Sequence, residues 1–88
     1  MNEKPRDIRE RTFALALDIV RLCRTLERQP DVCRTLGRQL LRSGTSIGAN
    51  MEEAQAGQSR ADFVSKCAIA LKEARETTYW LRLIREST

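Results

Sequence analysis

Two short rows of arginine are the first candidates for chemistry. Arg21, Arg24 and Arg28 recur at intervals of 3 and 4 residues, and Arg34, Arg38 and Arg42 at intervals of 4. Such spacing places three guanidinium groups on one face of a helix. Guanidinium forks grip phosphate or carboxylate oxygens in pairs, so the rows fit a nucleic-acid backbone or an acidic protein partner. Binding of the first kind is led by phosphates and is nearly independent of sequence. The alternative is a solvated face whose arginines pair with Asp18, Glu27 and Asp31 nearby. Tyr79 and Trp80, the residues suited to stacking on single strands, lie far along the chain from both rows.

A second pattern is polar. Gln39, Ser43, Ser46, Asn50 and Glu53 step by 4, 3, 4 and 3, forming one stripe on a helix. It reads either as a solvated face or as a partly buried hydrogen-bonding seam against another helix or subunit. Buried Asn can fix register and oligomer state at some expense in stability. Other chemistry is thin. The chain has no His, which removes the usual general base and most zinc sites. Cys23, Cys33 and Cys67 are odd in number and form no CxxC pair, so they read as small reduced apolar residues. Glu52 and Glu53 are adjacent and point about 100° apart, so they cannot act as a carboxylate pair. No P-loop, glycine-rich phosphate turn or Ser/Cys–His pair is present. A protein without catalytic activity, metal or cofactor is expected.

The elements that position these residues follow from periodicity. With 88 residues the chain is one domain, 1–88. Ile8, Thr12, Leu15, Ile19, Leu22 and Leu26 step by 4, 3, 4, 3 and 4, and Phe13, Ala16, Val20 and Cys23 add a second apolar row beside them. This predicts a helix over about 7–28, started by Asp7 with Glu10 as a capping-box pair. Its apolar arc covers about half the circumference, wider than one partner helix needs. Pro30 breaks the chain and Asp31 is the expected N-cap of the next helix. There Cys33, Leu36, Leu40, Gly44, Ile47, Met51 and Ala54 keep phase straight through "RSGTSIGANMEEAQAG". One helix over 31–56 is therefore expected, although two internal glycines cost roughly 1 kcal/mol each against Ala. Gly57 ends it, and Ser59 with Asp62 starts a third helix over 60–86 along Phe63, Cys67, Ala70, Ala74, Thr77, Leu81 and Ile84. The short turn implies an antiparallel hairpin. Gly44 and Gly48 are then expected to face the Ala70 and Ala74 region, letting the second and third helices approach closely.

Charge is +4 overall. Residues 1–43 hold ten Lys/Arg against six Asp/Glu, residues 44–88 six of each, and 13 of the 16 basic residues are Arg. The bias favours an acidic partner or nucleic acid for the first half. The opening "MNEKPRDIRERT" is too charged for a signal peptide and no apolar run reaches membrane-span length, so a cytoplasmic protein without membrane contact is expected.

The stretch "LLRSGTSIGANMEEAQAGQSRADFVSKCAIALKEARETTYWLRL" resembles the bacterial four-helix-bundle proteins encoded in 23S rRNA intervening sequences. Arg42, Ser46, Ile47, Ala49, Asn50, Glu53, Ser59, Asp62, Phe63 and Ala70 match the family pattern; Met51 stands for its Ile and Ala54 for its Gly. A related group is the accessory variability determinant of diversity-generating retroelements. The resemblance implies an all-α, antiparallel up-and-down bundle in which the three helices correspond to the first three of four. It further implies a homo-oligomer, a pentameric ring by analogy, and association with RNA or DNA or with a reverse transcriptase. Departing from the family, the sequence stops at "LRLIREST" without a fourth helix. Trp80, Leu83 and Ile84 are then expected to lack cover within their own chain. Together with the wide apolar arc of the first helix, this argues against a stable monomer. A dimer exchanging helices is the alternative to the ring.

Overall fold

A computed structural model describes residues 7–57 and 59–87. Three helices follow one another: α1 (Ile8–Leu26), α2 (Val32–Ala56) and α3 (Arg60–Ser87), with no strand among the described residues. The ends form for local reasons. Asp7 caps α1 by accepting from the Arg9 amide at 2.8 Å, and Ser59 Oγ accepts from the Asp62 amide at 3.0 Å to start α3. Asp31 occupies the N-cap position of α2, but its carboxylate makes no capping bond. Between the two helices Asp31 takes φ 46° and ψ −98°, outside the left-handed helical region and rarely adopted by a residue with a side chain. Gly57 ends α2 in an extended conformation, φ −61° and ψ 151°, rather than the left-handed one common at helix ends.

The predicted continuity of α2 holds: residues 43–48 are helical throughout. The reason differs from the one the spacing suggested. A Cβ placed on Gly44 would lie 2.8 Å from Ile19 Cγ2, and one on Gly48 would lie 3.2 Å from the Thr12 carbonyl oxygen. Gly37 likewise faces Leu26. The glycines therefore admit α1, not the alanine region of α3. Along this contact Leu26 meets Gly37, Ile19 meets Gly44 and Thr12 meets Gly48. The Cys23 thiol adds a bond to the Gly37 carbonyl at 3.2 Å.

Helix α2 is the middle element. Both α1 and α3 pack on it, and no Cα of α1 comes within 8 Å of one in α3. The helices accordingly spread over 44 × 37 Å and 18 Å in the third direction. The radius of gyration is 14.7 Å, against about 12 Å for a compact chain of this length. The main core lies at one end, where Ile19, Cys23, Leu26, Leu40 and Ile84 are buried together with Leu36 and Trp80 against them. Ile84 is 8% exposed, and Trp80 and Leu83 are half-buried. Ile84 is thus buried in the cluster that α1 and α2 also enter, with Trp80 packed against it, contrary to the expectation that these residues would be bare, whereas Tyr79 and Leu81 stay exposed. Exposed apolar side chains are spread over all three helices, from Leu81 at 37% to Phe13 at 62% and Val32 at 66%.

Candidate functional site

The two arginine rows fare differently once side chains are placed. Arg21 pairs with Asp18 at 3.6 Å, one turn away. Arg38 reaches across from α2 to Glu27 at 3.3 Å. Both pairs use acids that the sequence offered as partners. Arg42 does not share the solvent face expected of its row. It turns into the α2–α3 groove, bonding Gln39 at 3.2 Å, Glu73 at 3.4 Å and Glu76. The spacing of 4 aligned it with Arg34 and Arg38, but a residue on the flank of a contact can lean either way, and two carboxylates on α3 decide it. Glu73 is the more enclosed of the two acids. The Glu76 carboxyl is held below its usual range, first by the indole N–H of Trp80 at 3.2 Å and then by the Arg42 guanidinium.

Arg24, Arg28 and Arg34 remain. All three are exposed and carry no ion pair among the described residues. Arg24 sits in the last turn of α1, Arg28 in the link after it and Arg34 in the first turn of α2. With Glu27 engaged by Arg38, the link between α1 and α2 and the helix ends beside it carry three guanidinium groups without an ion pair, together with the exposed carboxylate of Asp31, which has none either. Only residues 27–31 separate α1 from α2, so the end of the first helix and the start of the second lie near each other.

The polar stripe also divides. Ser43 is fully buried and bonds Thr77 of α3 through their hydroxyls at 2.9 Å. Each hydroxyl also has a carbonyl of its own helix in reach, Leu40 for Ser43 and Glu73 for Thr77. Gln39 is exposed and serves Arg42. The Ser46 hydroxyl donates to the Arg42 carbonyl at 2.7 Å, and the Asn50 amide to the Ser46 carbonyl at 2.8 Å, both within α2. Glu53 is exposed beside the turn at Gly57, in a surface dent shared with Ser59, Asp62 and Lys66. Its neighbour Glu52 lines a different dent, with Asp7, Arg9, Glu10 and Phe13 at the start of α1. No buried side-chain polar atom among the described residues lacks a partner. The network of Arg42, Glu73, Glu76 and Trp80 was not read from the sequence. Its signal was present as Glu73, Glu76 and Trp80 at intervals of 3 and 4, but nothing in one chain's periodicity says which face of α3 meets α2.

Cys23 is buried, and burial, with Glu27 nearby, pushes its thiol above the ordinary range. Cys33 and Cys67 are half-buried. Among the described residues no three His, Cys, Asp or Glu side chains gather as a metal site, and no helix is long and apolar enough to cross a membrane.

These features define an all-helical protein of three long helices, with ion pairs between neighbouring helices and three arginines without an ion pair in or beside the α1–α2 link. The chain belongs to the 23S rRNA-intervening sequence protein family, whose model matches residues 4–88. It is similar to a crystal structure from Bacteroides thetaiotaomicron VPI-5482, a protein of unknown function from the S23 ribosomal protein family. The two are 46% identical with a TM-score of 0.84, over 92% of this chain and 74% of that one. No curated protein is matched.

Proposed function

We propose that this protein is a non-enzymatic, homo-oligomeric accessory factor of the cytoplasm that contacts RNA or DNA through phosphates at the α1–α2 hairpin end. The carrying observation is that Arg24, Arg28 and Arg34 lie in or beside the α1–α2 link without an ion pair, while Arg21, Arg38 and Arg42 are each paired with a carboxylate of the chain. In this reading the helices form an antiparallel up-and-down arrangement equivalent to three helices of a four-helix bundle. The pairing of Leu26 with Gly37, Ile19 with Gly44 and Thr12 with Gly48 supports that direction for α1 and α2. The ring of five and the reverse transcriptase partner remain part of the proposal through the family resemblance. Three arginines on a phosphate backbone give a salt slope of about −2 on single strands and about −3 on duplex.

A salt series of RNA and DNA binding tests the proposal. Affinity should fall steeply with salt and vary little with sequence. Combined Arg24→Glu, Arg28→Glu and Arg34→Glu should abolish binding, whereas Arg21→Glu with Arg38→Glu should weaken it only modestly. Salt-insensitive binding, or none at about 50 mM salt, rejects the phosphate reading. Retained binding of an acidic peptide through the same three residues would then establish a protein-interaction scaffold instead.

A further inference from the structure

Tyr79 and Trp80 are the single tyrosine and the single tryptophan of the chain. They lie far from the arginine rows in sequence, and the fold brings them back. Trp80 packs on the cluster that holds Leu26, where α1 ends, and Leu36, one turn into α2. The second half of α3 therefore lies at the same end of the molecule as the α1–α2 link. Tyr79 stands against Trp80, with ring centroids 5.2 Å apart and planes at 72°. Trp80 is itself held by its core contact and by its indole bond to Glu76 at 3.2 Å. Tyr79 thus has a fixed backing while 58% of it is exposed.

Its surroundings on α3 are basic. Lys72, Arg75, Tyr79 and Arg82 follow at intervals of 3, 4 and 3, and all four are exposed. That spacing puts them on one face of the helix. The contact face of α3 carries Glu73, Thr77 and Ile84, and the stripe lies about 100 to 180° round from it. None of the three cations has an ion pair among the described residues. Every carboxylate within 72–87 is already taken, Glu73 and Glu76 by Arg42 and Glu86 by Arg85. Even with those acids counted, five cations stand against three carboxylates on this side.

We infer that this stripe of α3 is a stacking site for single-stranded nucleic acid, in which Tyr79 takes the face of an unpaired base while Lys72, Arg75 and Arg82 take phosphates on either side. The inference rests on the phosphate-binding reading of the α1–α2 link, where the same strand is gripped, and adds to it a class of strand. Stacking accepts any base but needs one whose face is free, so a duplex gains nothing from Tyr79. Lys72 to Arg82 spans about 15 Å of helix, which suits part of a single-strand site of about 4 to 16 nucleotides. An acidic protein would satisfy the cations and leave the exposed ring idle.

Fluorescence anisotropy on the whole chain tests this, with a single strand of about 15 uridines and a duplex of equal length as the control. Tyr79→Ala should weaken single-strand binding at least about fivefold and leave duplex binding unchanged, whereas Tyr79→Phe should keep wild-type affinity. Lys72→Gln, Arg75→Gln and Arg82→Gln together should reduce the single-strand salt slope by about 2 and leave the duplex slope unchanged. Trp80, beside Tyr79, gives a local signal: its emission should be quenched by the single strand and not by the duplex. Equal losses on both nucleic acids from Tyr79→Ala, or a bound single strand that leaves Trp80 unquenched, would overturn the α3 site and leave the link standing. An acidic peptide held by the three cations and indifferent to Tyr79→Ala would overturn it in favour of a protein contact. Single-strand binding with full quenching after Arg24→Glu, Arg28→Glu and Arg34→Glu would keep α3 and overturn the link. No binding by wild type at about 50 mM salt overturns both.

Discussion

The two contacts made by α2 are opposite in kind. Toward α1 it offers Gly37, Gly44 and Gly48, and the partner answers with Leu26, Ile19 and the backbone at Thr12. Toward α3 it offers Ser43 and Arg42, answered by Thr77, Glu73 and Glu76. The first contact gains from nearness. Glycine removes the Cβ layer, so that Ile19 packs on α2 backbone, and dispersion over many close atoms offsets roughly 1 kcal/mol of helix propensity lost per glycine. The second contact gains from matched polar groups, which must all be satisfied because an unpaired one is expensive when buried. A single helix thus carries a stripe that fixes distance and a neighbouring stripe that fixes register.

The comparison breaks most visibly at Gly44. A leucine there would drive its Cβ into Ile19, which is 3% exposed and has no room to retreat. The propensity gain of roughly 1 kcal/mol is outweighed by overpacking, and Gly44→Leu should lose about 3 kcal/mol. Urea unfolding that matches wild type would show that α1 and α2 are not close at this point. On the other side, Thr77→Val keeps shape and removes the hydroxyl that meets Ser43. It should lose about 1 to 2 kcal/mol, less than the glycine change, because Ser43 retains the Leu40 carbonyl within reach. A larger loss from Thr77→Val than from Gly44→Leu would invert the ranking of the two contacts. Thiol labelling sharpens the first contact further. Cys23, buried and bonded to the Gly37 carbonyl, should react much more slowly than Cys33 or Cys67, and Gly44→Leu should narrow the difference.

The sequence carried the helices nearly to the residue, because apolar steps of 3 and 4 report which residues are helical and where the phase stops. The same steps do not report which neighbour a face meets. Gly44 and Gly48 were legible as a close approach, yet counting outward from the turn assigned that approach to α3. The stripe holding the glycines lies about 100° from Ser43, and only the placement of α1 beside it settles the partner. Arg42 shows the same limit for charge. Its interval matched an exposed row, while its destination depends on Glu73 and Glu76, more than 30 residues later in the chain. The local pairs, Arg21 with Asp18 and Arg38 with Glu27, were legible because their acids lie close by in the sequence.

The smallest expected effect concerns acid. Glu76 accepts from the Trp80 indole and from Arg42, and both bonds favour its charged form, so its folded pKa lies below the unfolded one. A carboxyl depressed on folding contributes stability that is present above its unfolded pKa and is lost as pH falls through the folded value. The window is therefore below about pH 4.3, and near neutrality the contribution is constant. Glu76→Gln keeps an acceptor for Trp80 but removes the charge that holds Arg42. It should lower the melting temperature slightly at pH 7, by less than Thr77→Val does, because the Arg42–Glu76 pair is half-exposed and screened. At pH 3 the variant and wild type should approach each other, since protonation has then done to Glu76 what the substitution does. Melting curves of both proteins between pH 3 and 7 check this. A difference that grows as pH falls would mean that Glu76 stabilises the fold in its protonated form, and the α2–α3 contact would then be a neutral hydrogen-bonded seam rather than a charged one.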